Sequence, residues 1–219
     1  MKKSNKPKRE LPTRVWFLEN GFHQVPQTDY IKNKILYAHE SDLRFVNQFG
    51  QPLATSFSPF ERDPKVCHGH PVPRICGRLC HVVRALAFYG ERKIFFDSKG
   101  NPYFGQCHHL NADLEDHRKD NILCWLSRPE HRKADDRQKV LRNLVPNRDL
   151  NGFDYAILRE LQDPRTMSDA DFQSRLEYIR FMVSCDFDPR IFTAADFHHW
   201  FSMPLDDFKS FFSHYANES

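Results

Sequence analysis

At 219 residues, with 40% hydrophobic side chains and 14 prolines, the chain can bury one good core, or a modest core with a helical appendage. No apolar run approaches the roughly 20 residues that span a bilayer, which argues against a membrane protein. The net charge of +3 conceals an asymmetry: residues 146–219 hold 7 Lys/Arg against 13 Asp/Glu, leaving 25 against 16 for residues 1–145. A basic part of this kind attracts polyanions through counterion release.

Residues 1–14 carry six Lys/Arg, one Glu and two prolines, and read as a disordered basic arm rather than a signal peptide. The six cysteines show no small-domain disulfide pattern, so a reduced, cytoplasmic protein is expected. Residues 15–60 mix short apolar runs, such as Val15-Trp16-Phe17-Leu18 and Ile35-Leu36-Tyr37, with turn residues, and predict short strands and loops. Residues 61–75 predict irregular chain. Here Cys67, His68, His70, Cys76 and Cys80 include enough ligands for a structural zinc, but their spacing is not that of a knuckle, and buried thiols are the preferred reading.

From Leu79 to Phe88 the apolar positions follow i, i+3, i+4, i+7, i+8, which predicts an amphipathic helix ending at Gly90. The segment KIFFDSKGNPYFGQCHH then predicts a strand, a turn and a second short strand. A polar loop, LNADLEDHRKDN, should follow, with ILCWLS returning antiparallel. Ser127 and Glu130 form a Ser-x-x-Glu capping box with Pro129 in the first turn, opening a helix over 128–143. Its cations Arg128, Arg132, Lys133 and Arg137 give a basic surface. After Pro146 the chain turns acidic, with four candidate helices separated by Pro164, Pro189 and Pro204. The expected organisation is therefore a basic arm (1–14), a mixed domain (15–145) and an acidic helical domain (146–219).

The chemistry concentrates between Cys107 and His131. His108 and His109 are neighbours on an extended segment and point to opposite faces. A metal between His108 and His131 would leave His109 free to act as a base. Asn121 could lock the loop and accept the Nδ1–H of His109, fixing its tautomer. With 12 histidines in the chain, a lone His-His pair is weak evidence; His198-His199 and His68/His70 are read as structural or surface.

This spacing resembles the HNH homing-endonuclease family, the ββα-metal nucleases. His108-His109, Asn111, Asp113, Arg118 and Asn121 fall in register with the family's pattern, followed by Trp125 and Ser-x-x-Glu-His at 127–131. HVVRALAF (81–88) is similar to the helix that precedes the motif, and RFVNQFGQ (44–51) is a weaker likeness to an element found ahead of such domains. The resemblance covers roughly residues 43–142. It implies an α+β fold with a ββα-metal HNH nuclease core, preceded by short strands and followed by a helical appendage. It also implies DNA as substrate, His108 and His131 as ligands of one divalent ion (Mg, Mn or Zn), His109 as general base, and Asn121 as the residue that holds the loop and orients that base. Arg118, Arg128, Arg132, Lys133 and Arg137 would face nucleic acid.

Three departures from the family bear on geometry. Ala112 stands where the family usually has Gly, so the turn there is expected to avoid positive φ. Asp116 and His117 replace an Asn pair. NILCW carries one residue more than the usual Asn-Leu-x-Trp, which leaves the register of His131 open. Two rival functions stand beside the nuclease. One is a metal-stabilised nucleic-acid-binding module without turnover. The other is a helix-turn-helix regulator using residues 193–212, although Asp206 and Asp207 would repel phosphates. The C-terminal helices are equally suited to a protein partner or to self-association.

Overall fold

The computed structural model describes residues 11–28, 31, 34–58 and 72–218. The basic arm up to residue 10 and the cluster Cys67, His68 and His70 lie outside the described residues. The chain is mixed α and β and forms two compact units. One comprises residues up to Glu91 together with His117–Lys119; the other comprises Arg92–Asp116 and Asp120 onward. Among the described residues no helix is long and apolar enough to cross a membrane.

The first unit opens with α1 (Arg14–Glu19), capped by the Thr13 hydroxyl, which accepts from Trp16 N. The sequence reading expects strand or loop here. Four successive apolar residues carry no readable period, and the helix declares itself only through its cap and through Phe17, which stacks on Tyr37 at 3.7 Å. Strands β1 (Phe22–Gln24), β2 (Leu36–His39) and β3 (Phe45–Asn47) form an antiparallel sheet in that order. A second sheet, β4 (Ser56–Ser58), β5 (Val72–Ile75) and β6 (Arg78–Leu79), leads directly into α2 (Cys80–Tyr89). Helix α2 buries Val82, Val83, Ala85 and Leu86 and stops at Gly90, whose φ of 76° suits a residue without a Cβ. Cys80 is buried on this helix, where desolvation pushes its thiol up to about 12, whereas Cys76 is exposed.

The second unit begins with two antiparallel hairpins. The first is β7 (Ile94–Phe96) with β8 (Pro102–Phe104); the second is β9 (Gln106–His109) with β10 (Ile122–Leu126). In β9–β10, His109 faces Ile122 and His108 faces Leu123, but Gln106 faces Leu126. Two steps on β9 therefore match three on β10, the signature of a bulge. Trp125 takes the left-handed conformation there, at φ 54°. The ILCWL strand therefore carries one residue more than its partner pairs with.

Helix α3 (Arg128–Leu144) starts from a complete capping box: Ser127 Oγ accepts from Glu130 N, and Glu130 Oε2 accepts from Ser127 N at 2.6 Å. Four helices follow: α4 (Tyr155–Gln162), α5 (Asp169–Ser184), α6 (Ala194–Phe201) and α7 (Leu205–Glu218). A single apolar cluster runs from Leu110, Leu123 and Leu126 through Ala134 and Leu141 of α3 to Ile157, Leu161, Leu176, Phe197, Phe208 and Phe212. The composition change near residue 146 therefore does not coincide with a break in packing, and the two units divide between Glu91 and Arg92 instead. The reason is physical: charge reports the surface, and the surface changes sign along a core that does not. The aromatic rhythm of residues 193–212 belongs to this core, with Phe197, Trp200, Phe208 and Phe212 all buried.

Candidate metal centre

His108, on β9, and His131 and Asp135, one turn apart on α3, meet inside the second unit. One ligand atom from each lies within 4.8 Å of the others, close enough to hold a metal ion. Asp135 bridges the imidazoles: Oδ1 is 3.0 Å from His108 Nδ1, and Oδ2 is 3.1 Å from His131 Nδ1. The two rings lie perpendicular, with centroids 5.5 Å apart. Ligands held 2.0–2.1 Å from a tetrahedral ion are separated by about 3.3 Å, so these spacings suit a shared cation.

The opposite ring nitrogens are also committed. His108 Nε2 faces Gln162 Oε1 at 2.7 Å, and His131 Nε2 faces the Cys107 carbonyl at 3.2 Å. The Gln162 amide is oriented by its own donation to the Leu110 carbonyl at 2.8 Å. Gln138 Nε2 comes within 3.3 Å of His108 Nε2, but donates to the His109 and Leu110 carbonyls. With both Nε2 atoms against oxygen acceptors, the Nδ1 atoms turn toward a carboxylate. Lone pairs on Nδ1 would repel that carboxylate, so each Nδ1 either donates an N–H to it or shares a metal ion with it. Burial opposes the charged form of His131, yet Asp135 outweighs it, and the imidazole titrates above its ordinary value. Burial would likewise raise Asp135, but its bonds to the two imidazoles hold the carboxyl well below the usual carboxylate range.

His109 lies on the opposite face of β9 from His108 and is 6% exposed. The Asn121 side chain is spent on the loop: Oδ1 accepts from Asn111 N at 3.0 Å, and Nδ2 donates to Asn111 Oδ1 at 2.8 Å and to the Asp116 carbonyl at 2.7 Å. It therefore holds the turn. Within that turn Ala112 sits at φ 66°, contrary to the expectation that a non-glycine residue would avoid positive φ. The Asn111–Asn121 bonds fix the backbone on either side and impose the conformation on Ala112.

Arg118, Arg128 and Arg132 are exposed. Arg128, Pro129, Arg132, Lys133 and Asp136 line a shallow depression of about 290 Å³. Lys133 pairs with Asp169 at 2.7 Å. Arg137 does not belong to this basic surface. It is 3% exposed, donates to the carbonyls of Leu161, Asp163 and Met167 and to the Asp169 carboxylate, and lies 5.0 Å over the Phe172 ring. It clamps α3 to the α4–α5 connection and cannot reach a nucleic acid.

Sequence reasoning misses Asp135, although the His131-x-x-x-Asp135 spacing places both on one helix face. It also misses Gln162, which comes from a segment assigned to another domain. No family model matches this chain, and no match is found among curated proteins or solved structures.

Proposed function

We propose that β9, β10 and α3 form a ββα-type metal nuclease centre and that the chain hydrolyses phosphodiester bonds in DNA. The observation that carries this reading is the convergence of two imidazole Nδ1 atoms on one carboxylate, with both Nε2 atoms held by carbonyl oxygens. His108, His131 and Asp135 would hold the ion. Two nitrogens and one carboxylate suit Zn or Mn better than Mg, which prefers oxygen alone. A divalent ion bound there supplies Lewis-acid charge for a phosphate oxygen.

The remaining roles fall to the chain itself. Asn121 and Asn111 fix the loop that follows β9, and so the strand end that carries both histidines. The His109 imidazole takes the proton of the attacking water. Arg128 and Arg132, exposed at the start of α3, position the phosphate backbone without reading sequence.

A second reading, a metal-stabilised module that binds nucleic acid without turnover, is favoured by the burial of His109, since a base must meet solvent. A plasmid-nicking assay with Mg, Mn and Zn separates the two. The nuclease relaxes or linearises the plasmid, and His109→Ala abolishes cleavage while leaving metal binding and the circular-dichroism spectrum intact. Binding without cleavage under every metal would replace the nuclease reading with the second.

A further inference from the structure

The β7–β8 hairpin has two unlike faces. Its register sets Ile94 opposite Phe104, Phe95 opposite Tyr103, and Phe96 opposite Pro102. Phe95 and Tyr103 share the half-buried face, with ring centroids 5.8 Å apart. Tyr103 is tied to the start of α3: the Arg128 guanidinium lies 4.4 Å over its ring, and its hydroxyl accepts from Arg128 N at 3.4 Å. Gly105 closes the root, because a Cβ there would stand 2.9 Å from Trp125 Cα and 3.1 Å from Phe95 Cε2. The hairpin is thereby held on the bulged strand β10 rather than left as an isolated pair of strands, which would be marginal in water.

The opposite face is the unusual one. Ile94, Phe96 and Phe104 are 57%, 67% and 51% exposed, and Pro102 beside them is exposed as well. An antiparallel pair normally turns polar side chains to water. A contiguous apolar surface rimmed by polar groups marks a binding site. The rim here is cationic on balance: Arg92 and Lys93 stand at the base beside exposed Glu91, and Lys99 at the turn. The Arg92 guanidinium lies 4.6 Å over the Phe104 ring. The one carboxylate of the turn, Asp97, is absorbed by bonds from the Lys99 and Asn101 backbone and the Asn101 amide.

We propose that this face is a stacking platform for unpaired bases of a nucleic acid strand, with Arg92, Lys93 and Lys99 along its phosphates. Flat rings interleaved with cations fit that ligand, because every base has a π-face and every nucleotide a negative charge. A second copy of the chain fits less well, since pairing this face with itself sets like charges together. The proposal rests on the nucleic-acid reading given above, but on neither the metal nor cleavage. It names the substrate class as DNA with unpaired bases.

The test is fluorescence anisotropy of the full chain with a labelled oligothymidylate of about 20 nucleotides and with a duplex of the same length. Wild type should bind the single strand more tightly. Phe96→Ala and Phe104→Ala, both at exposed positions, should each weaken that binding about 5- to 30-fold, with Phe96→Tyr close to wild type. Duplex affinity should move less than about twofold. If the duplex binds while the alanine variants leave single-strand affinity unchanged, the platform is wrong and the nuclease reading survives. If neither probe binds, both fall together. Sedimentation showing a dimer that Phe96→Ala dissociates, or anionic vesicle binding lost in the same variant, would assign the face elsewhere and overturn the proposal.

Discussion

Two charged residues only two positions apart on α3 have opposite fates, and neighbours decide them. Asp135 is half-exposed yet strongly acidic because two imidazoles surround it. Arg137 is cationic yet internal because three carbonyls, a carboxylate and an aromatic face receive it. Arg137→Ala should destabilise the chain by about 3 kcal/mol, because it leaves the buried carbonyls of Leu161, Asp163 and Met167 short of donors. Urea denaturation of the variant measures this. Arg137→Lys should recover little of the loss, since an ammonium lacks the fork that reaches several acceptors at once. At Ala112 the sign reverses: a left-handed alanine carries strain that glycine does not. Ala112→Gly should therefore raise stability by about 0.5–1 kcal/mol, read as a higher urea midpoint at unchanged slope.

Among the elements, those legible in the sequence are the ones whose signals are local. The capping box at Ser127 and Glu130, the period along 79–88 and the turn between β7 and β8 each depend on a few adjacent residues, and each forms where the pattern puts it. The bulge in β10 is different. It shows only in the pairing of β9 with β10, where Gly105 lets Trp125 approach closely across the strands. Helix α1 is not legible in the sequence, because six residues with one buried side chain carry too little periodicity. The candidate site divides the same way. His108 and His131 stand out by type and spacing, whereas Asp135 reads as one more surface charge until His131 is known to face β9. Gln162 and Gln138 carry no sequence signal at all, because their roles exist only once α4 and α3 are packed on the strands.

For the molecule as a whole, the acidic helices complete the core on which the His108 strand rests. Leu110 and Leu123 of the second hairpin share one apolar cluster with Phe197 and Phe212 of α6 and α7. A chain truncated after Val145 should therefore lose α3 as well as the deleted helices, because Ala134 and Leu141 would face water. Circular dichroism should show a helical loss greater than the deleted residues account for, with poor solubility. Retention of a cooperative transition in residues 1–145 would instead mean that the composition change marks a true domain boundary.

The most direct measurement is a cobalt titration of the full chain, followed by visible absorption and by proton release. An ion should bind at the His108–His131–Asp135 cluster, more tightly as pH rises, because imidazole ligands must shed their protons. His108→Ala and Asp135→Ala should abolish the absorption band, while His109→Ala keeps it. A band that survives both ligand substitutions, or no binding by wild type, would contradict the metal centre and the nuclease built on it.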